Sequence, residues 1–156
     1  MRKIVAKSAP KPVSPNAVYV AWVYSAVIVV MVFLQLFAFE KFIPLLDQYD
    51  LWGGMDTATI AAALIVTVEV LALPFLLRMT LSPLMRWLSL VCSLAIAGAW
   101  LKLSLLALWT DNIVQNSGMF GSKLAFPAGW PAVLLSLILL FFAVYCVWGL
   151  WPLRKK

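Results

Sequence analysis

Four long apolar runs, separated by stretches where charges, prolines and glycines gather, set the pattern of this chain. The runs extend from Ala17 to Phe39, from Thr57 to Met79, from about Leu84 to Trp109 and from Pro131 to about Trp151. A helix needs about 20 apolar residues to cross the hydrocarbon of a bilayer, so each run is long enough for one crossing. The pattern predicts an all-α fold: a membrane-embedded four-helix bundle over residues 17–152, with short connections and no second domain. Pro83 and Pro131 stand where the third and fourth helices begin, where the missing N–H has no helical partner to lose.

The segments between the runs are distinct. Residues 1–16 are basic and interrupted by Pro10, Pro12 and Pro15, which oppose a helix and favour an extended, solvated arm. The first run is longer than the apolar core of a signal peptide and lacks a small-residue cleavage site, which predicts an uncleaved span. Residues 40–56 mix four acids and one base with Phe42, Ile43, Leu45, Leu46, Leu51 and Trp52. An interfacial segment at the bilayer edge accounts for that mixture, and a lid over the bundle is the alternative. In the third run Ser89, Ser93 and Ala97 recur every four positions, with Gly98 beside them, a strip that lets another helix approach closely. The longest connection, Thr110 to Trp130, is rich in Gly, Asn and Ser. Residues 153–156 form a short basic tail. No internal repeat or low-complexity segment is visible.

Composition agrees with the pattern. At 65% hydrophobic and 12% charged residues, with a mean hydropathy of +1.01, the chain is more apolar than a soluble domain of 156 residues can bury. The net charge of +6 points to anionic lipid rather than nucleic acid, because the basic residues flank the spans. Arg2, Lys3, Lys7, Lys11, Arg78, Arg86, Arg154, Lys155 and Lys156 fall on one side, against Lys41 and Lys123 on the other. Positive residues stay inside, so both termini are expected in the cytoplasm, across a bacterial-type inner membrane. Trp22, Trp87, Trp148 and Trp151 then mark the inner boundary, Trp52, Trp109 and Trp130 the outer one, and Trp100 sits deeper. Cys92 and Cys146 lie inside spans, with no C-x-x-C pair and no histidine in the chain, which argues against a thiol relay or a metal site.

Two charges interrupt the apolar runs. Glu69 lies about 20 Å below Asp56 at 1.5 Å per residue, past the midplane of a hydrocarbon core of about 30 Å. Lys102 lies about 13 Å below Asp111 by the same rise. A carboxylate at that depth must be paired, neutralised or turned to a protein interior. Lys102 is a candidate partner for Glu69; alternatively its long side chain snorkels outward to Glu40. Pro74 removes the donor to the Val70 carbonyl and is expected to bend the helix, leaving an acceptor that a lysine, a water or a protonated Glu69 could satisfy. The node of Glu69, Lys102 and Pro74 reads first as a polar knot that fixes helix register, and second as a proton-accepting or quinone-headgroup contact.

Three segments together resemble a known group: FEKF at 39–42, the glutamate-bearing VEVLALPFLLRM, and NSGMFGSKLAFPAGW before the fourth span. They are similar to the DoxX and methylamine-utilisation MauE group of four-helix membrane proteins, and the resemblance extends over most of residues 17–150. It implies a bundle resembling that of vitamin K epoxide reductase and a role beside respiratory or periplasmic redox systems. In MauE-like members the outer loop resembles N-C-G-C-F-G. Here Asn116, Gly118, Phe120 and Gly121 keep that pattern while Ser117 and Met119 replace the cysteines, so a disulfide cannot form. The loop is expected to cap the outer end of the bundle, with Met119 and Phe120 exposed for packing, or to dock a partner.

Two functional classes follow. One is a non-catalytic subunit or assembly factor of a larger, redox-linked membrane complex, favoured because no catalytic constellation or phosphate-binding loop is present. Its partners are other membrane subunits and the lipid bilayer. The other is a small membrane oxidoreductase or quinone-binding protein using Glu69 with Lys102. A transporter is third, for want of internal duplication.

Overall fold

Long apolar sequences with few glycines leave the backbone little choice but to satisfy itself as helix. The computed structural model describes residues 6–49, 53–109 and 114–151, and these form five helices and no strand. They are α1 (Pro15–Phe37), α2 (Phe39–Asp47), α3 (Gly54–Leu76), α4 (Pro83–Trp109) and α5 (Trp130–Leu150). All but α2 are long and apolar enough to cross a membrane, which makes this a multi-pass membrane protein. The fold is an all-helical bundle in which α1 packs on α3 and α5, and α4 packs on the same two, closing a ring of four.

Small residues set the close approaches. At one end of the bundle Gly149 of α5 lies so near Ala17 of α1 that any added Cβ would collide with the alanine side chain. Ser89, Ser93 and Ala97 are buried on α4, whereas a Cβ on Gly98 would meet nothing within 4 Å, so Gly98 is not part of that seam. The outward faces carry exposed side chains such as Tyr19, Trp22, Phe33 and Phe141, as lipid contact requires.

The N-terminal arm corrects an expectation. Residues 6–14 are extended, but they are not a free, solvated tail: they are strapped across one end of the bundle. Lys7 and Leu81 form an antiparallel bridge, with N–H to O distances of 3.0 and 3.2 Å, and the Val13 amide donates to the Gly149 carbonyl at 2.8 Å. Arg78 donates to the Pro10 carbonyl at 2.9 Å, and Arg86 to those of Lys7 and Ser8 at 2.9 and 3.2 Å. Pro10 and Pro12 do lie outside any helix, whereas Pro15, expected to oppose one, opens α1, where the first turn has no use for its missing N–H. Residues 1–5 and 152–156, including Arg2, Lys3, Arg154, Lys155 and Lys156, lie outside the described residues, as do 50–52 and 110–113.

Arg78 also closes α3. Its φ of +55° lets the Met79 amide reach the Pro74 carbonyl at 3.0 Å while its own amide reaches Phe75 at 3.1 Å, a Schellman ending without the usual glycine. Pro74 therefore belongs to the last turn of a helix that continues to Leu76. Beside it the Ser89 hydroxyl accepts from the Phe75 amide at 2.9 Å and donates to the Ala72 carbonyl at 3.2 Å, stitching the turn to α4.

At the opposite end α1 stops at Phe37, and Ala38, with φ −139° and ψ 49°, separates it from α2. Helix α2 buries Phe42 and Leu46, exposes Glu40 and Lys41, and runs along α3. The notch at Ala38 is where the long connection enters the bundle.

Candidate functional site

The centre of the molecule is a hydrogen-bonded node on three helices and a loop. Glu69 of α3 is fully buried. Its Oε1 accepts from the Trp100 indole Nε1 of α4 at 2.9 Å and from Gln35 Nε2 of α1 at 3.4 Å. The same Gln35 nitrogen donates to the Met119 carbonyl at 2.9 Å, so the chain of contacts runs from α4 through α3 and α1 into the loop. Trp100 and Gln35 are themselves 1% and 0% exposed. Gln35 is two positions from the end of α1, yet it meets Glu69 about 22 Å along α3 from Gly54, at 1.5 Å per residue. The break between α1 and α2 thus faces the middle of α3.

The loop that fills this break is held by Asn116. Its Oδ1 accepts from the amides of Gly118 and Phe126 at 3.0 and 3.2 Å, and its Nδ2 donates to the Gly121 carbonyl at 3.1 Å. Asparagine folds turns in this way because its side chain mimics a peptide group. The Ser117 amide bonds to Phe126 O at 2.8 Å, and Tyr49, beyond α2, donates its hydroxyl to the Ser117 carbonyl at 2.9 Å. Burial pushes the Tyr49 phenol up to about 12, so it stays a donor across the neutral range. Gly121, at φ +64°, lets the loop touch α1: a Cβ there would come within 2.7 Å of the Leu34 carbonyl. Met119 and Ser117 are fully buried and Phe120 is half-buried, packed edge-on to Phe126 with ring centroids 5.7 Å apart. Met119 is therefore a plug rather than the exposed side chain expected from sequence.

Lys102 takes no part in the node. It is exposed on α4, in a groove of about 340 Å³ with Gly98, Leu101, Leu105 and Trp109. Two residues along a helix turn it through about 200°, so once Trp100 faces the core Lys102 must face away. Among the described residues no ion pair joins it to Glu69 or Glu40. Glu40 lines a separate cleft of about 550 Å³ with Lys41 and Lys123, where Lys123 Nζ stands 5.5 Å over the Phe37 ring. Pro74 is likewise apart, lining a small cavity under the strap with Pro10, Arg78 and Arg86. Two further polar contacts stitch the interior: Tyr24 OH donates to Ser93 O at 2.8 Å, and the hydroxyls of Ser104 and Ser136 are 3.1 Å apart.

Sequence reasoning missed Gln35 and Trp100 as the partners of Glu69. The available signals were weak ones: Trp100 is the one tryptophan away from both expected boundaries, and Gln35 is a polar side chain inside an apolar run. Cys92 and Cys146 are free and buried, and no group of three His, Cys, Asp or Glu side chains gathers as a metal site among the described residues. Fold and node together define an integral membrane helical bundle closed around a buried carboxyl. Compared with family models, curated proteins and solved structures, the chain matches none of them.

Proposed function

We propose that this chain is a non-catalytic membrane subunit or assembly factor of a larger, redox-linked membrane complex, seated in a bacterial-type inner membrane with both termini in the cytoplasm. The observation that carries this reading is the state of the loop. At the two positions where the MauE-like proteins it resembles have cysteines, Ser117 and Met119 are fully buried, and the Met119 carbonyl is tied to the central node. Such a loop seals the bundle instead of presenting a reactive pair. The broad apolar outward faces, with Trp22, Trp87 and Trp148 exposed, suit contact with lipid and with the helices of other subunits. The orientation rests on the lysines and arginines around the strap.

Extraction in mild detergent followed by mass spectrometry tests the proposal. Partner proteins in fixed stoichiometry are the expected result, and a lone, monodisperse species would overturn it. The alternative, a quinone-binding protein, would use Glu69 with Gln35, not with Lys102. At that pair Glu69 Oε2 and Gln35 Oε1 are buried without hydrogen-bond partners, so a ligand there must bring a hydrogen donor, which a quinol has and a quinone lacks.

A further inference from the structure

Those two unpartnered oxygens belong to neighbouring groups, and that is informative. Each is an acceptor, and each is buried, where a polar atom left unmatched is costly. The neighbouring atoms are already matched: Gln35 Nε2 donates to Glu69 Oε1 and to the Met119 carbonyl. Turning the Gln35 amide over would not help, because its carbonyl would then meet the Met119 carbonyl and the carboxyl, two acceptors. From the helices packed against it, Glu69 meets Trp100 of α4 and Gln35 of α1, both neutral. The phenol of Tyr24 is engaged with Ser93 O, and Glu69 is the only Asp, Glu, Lys or Arg among the buried described residues.

A single hydrogen between them would satisfy both orphan oxygens. We propose that Glu69 is a proton-binding site: it carries its proton on Oε2 and donates it to Gln35 Oε1. Carboxylic acid and amide then form a reciprocal pair, in which Gln35 Nε2–H bonds to Oε1 and Oε2–H bonds back. The proton comes from water and no electron moves. The bound proton is the ligand of the node, and it sets Gln35 in the orientation that grips the Met119 carbonyl, so it fastens the loop at 116–121 into the break between α1 and α2. This inference is independent of the proposed subunit role, since a lone protein would hold the same proton.

The test exploits composition, because Glu40 and Glu69 are the only glutamates in the chain. Full-length Glu40→Gln protein, labelled with carboxyl-¹³C glutamate, isolates Glu69 in the infrared spectrum. At neutral pH the expected result is an isotope-sensitive C=O band of a protonated, hydrogen-bonded carboxyl, which moves to higher frequency in the added Gln35→Leu variant. A spectrum with only carboxylate bands overturns the proposal, and a band that Gln35→Leu leaves in place overturns the pairing. Thermal melting in detergent gives a second readout. Glu69→Gln keeps a carbonyl acceptor toward Trp100 and Gln35 and puts an N–H donor in place of the acid O–H, so its Tm should stay close to that of the unaltered chain while Glu69→Leu melts lower. A Glu69→Gln protein that melts as low as Glu69→Leu, or fails to fold, contradicts the assignment.

Discussion

The two ends of this bundle are fastened by different chemistry. At the strap end Arg78 and Arg86 hold the N-terminal arm through the carbonyls of Lys7, Ser8 and Pro10, groups that nearly any residue would offer. At the loop end Gln35 and Glu69 hold the Met119 carbonyl from inside the core, and every atom involved is shut away from water. A bond lost at the strap end is replaced by solvent. A bond lost at the node leaves a buried polar group unmatched, at about 1–3 kcal/mol each. The difference predicts that one end tolerates substitution and the other does not.

The largest effect should come from Trp100→Ala. It removes a fully buried indole and the 2.9 Å donor to Glu69 together. Truncating a buried tryptophan to alanine costs about 3–5 kcal/mol, and thermal unfolding in detergent should show a large fall in Tm. A small fall would mean that the node does not hold the helices together. The smallest should come from Arg86→Gln, whose two strap contacts are exposed and contribute about 1 kcal/mol or less. Global stability should hardly move, while trypsin should cut after Lys7 sooner, Lys11 being shielded by the proline that follows it. An Arg86→Gln loss as large as that of Trp100→Ala would erase the contrast between the ends.

The contrast also explains what could be read from the sequence. The spanning helices announce themselves, because about 20 apolar residues have few other uses. Glu69 draws notice because a charge in an apolar run is costly. Its partners do not: Gln35 and Trp100 carry no charge, and only the rotation of α4 decides whether Trp100 or Lys102 faces inward. The break at Ala38 is hidden for a similar reason, since FAFEKF has no proline or glycine and the apolar run continues through it. The strap is invisible because it depends on backbone carbonyls, which have no signature in the sequence. Asn116 and Gly121 fall within the recognisable loop pattern, but that Met119 fills the notch follows from the Gln35 contact alone.

The central claim is that the loop is fastened to the membrane-embedded core through Gln35. Amide hydrogen exchange over residues 116–121, compared between the unaltered protein and Gln35→Leu, tests it most directly. The account predicts faster exchange at Gly118 and Gly121 in the variant, with the Lys7 and Leu81 amides of the strap unchanged. Loop protection equal to that of the unaltered chain would contradict it.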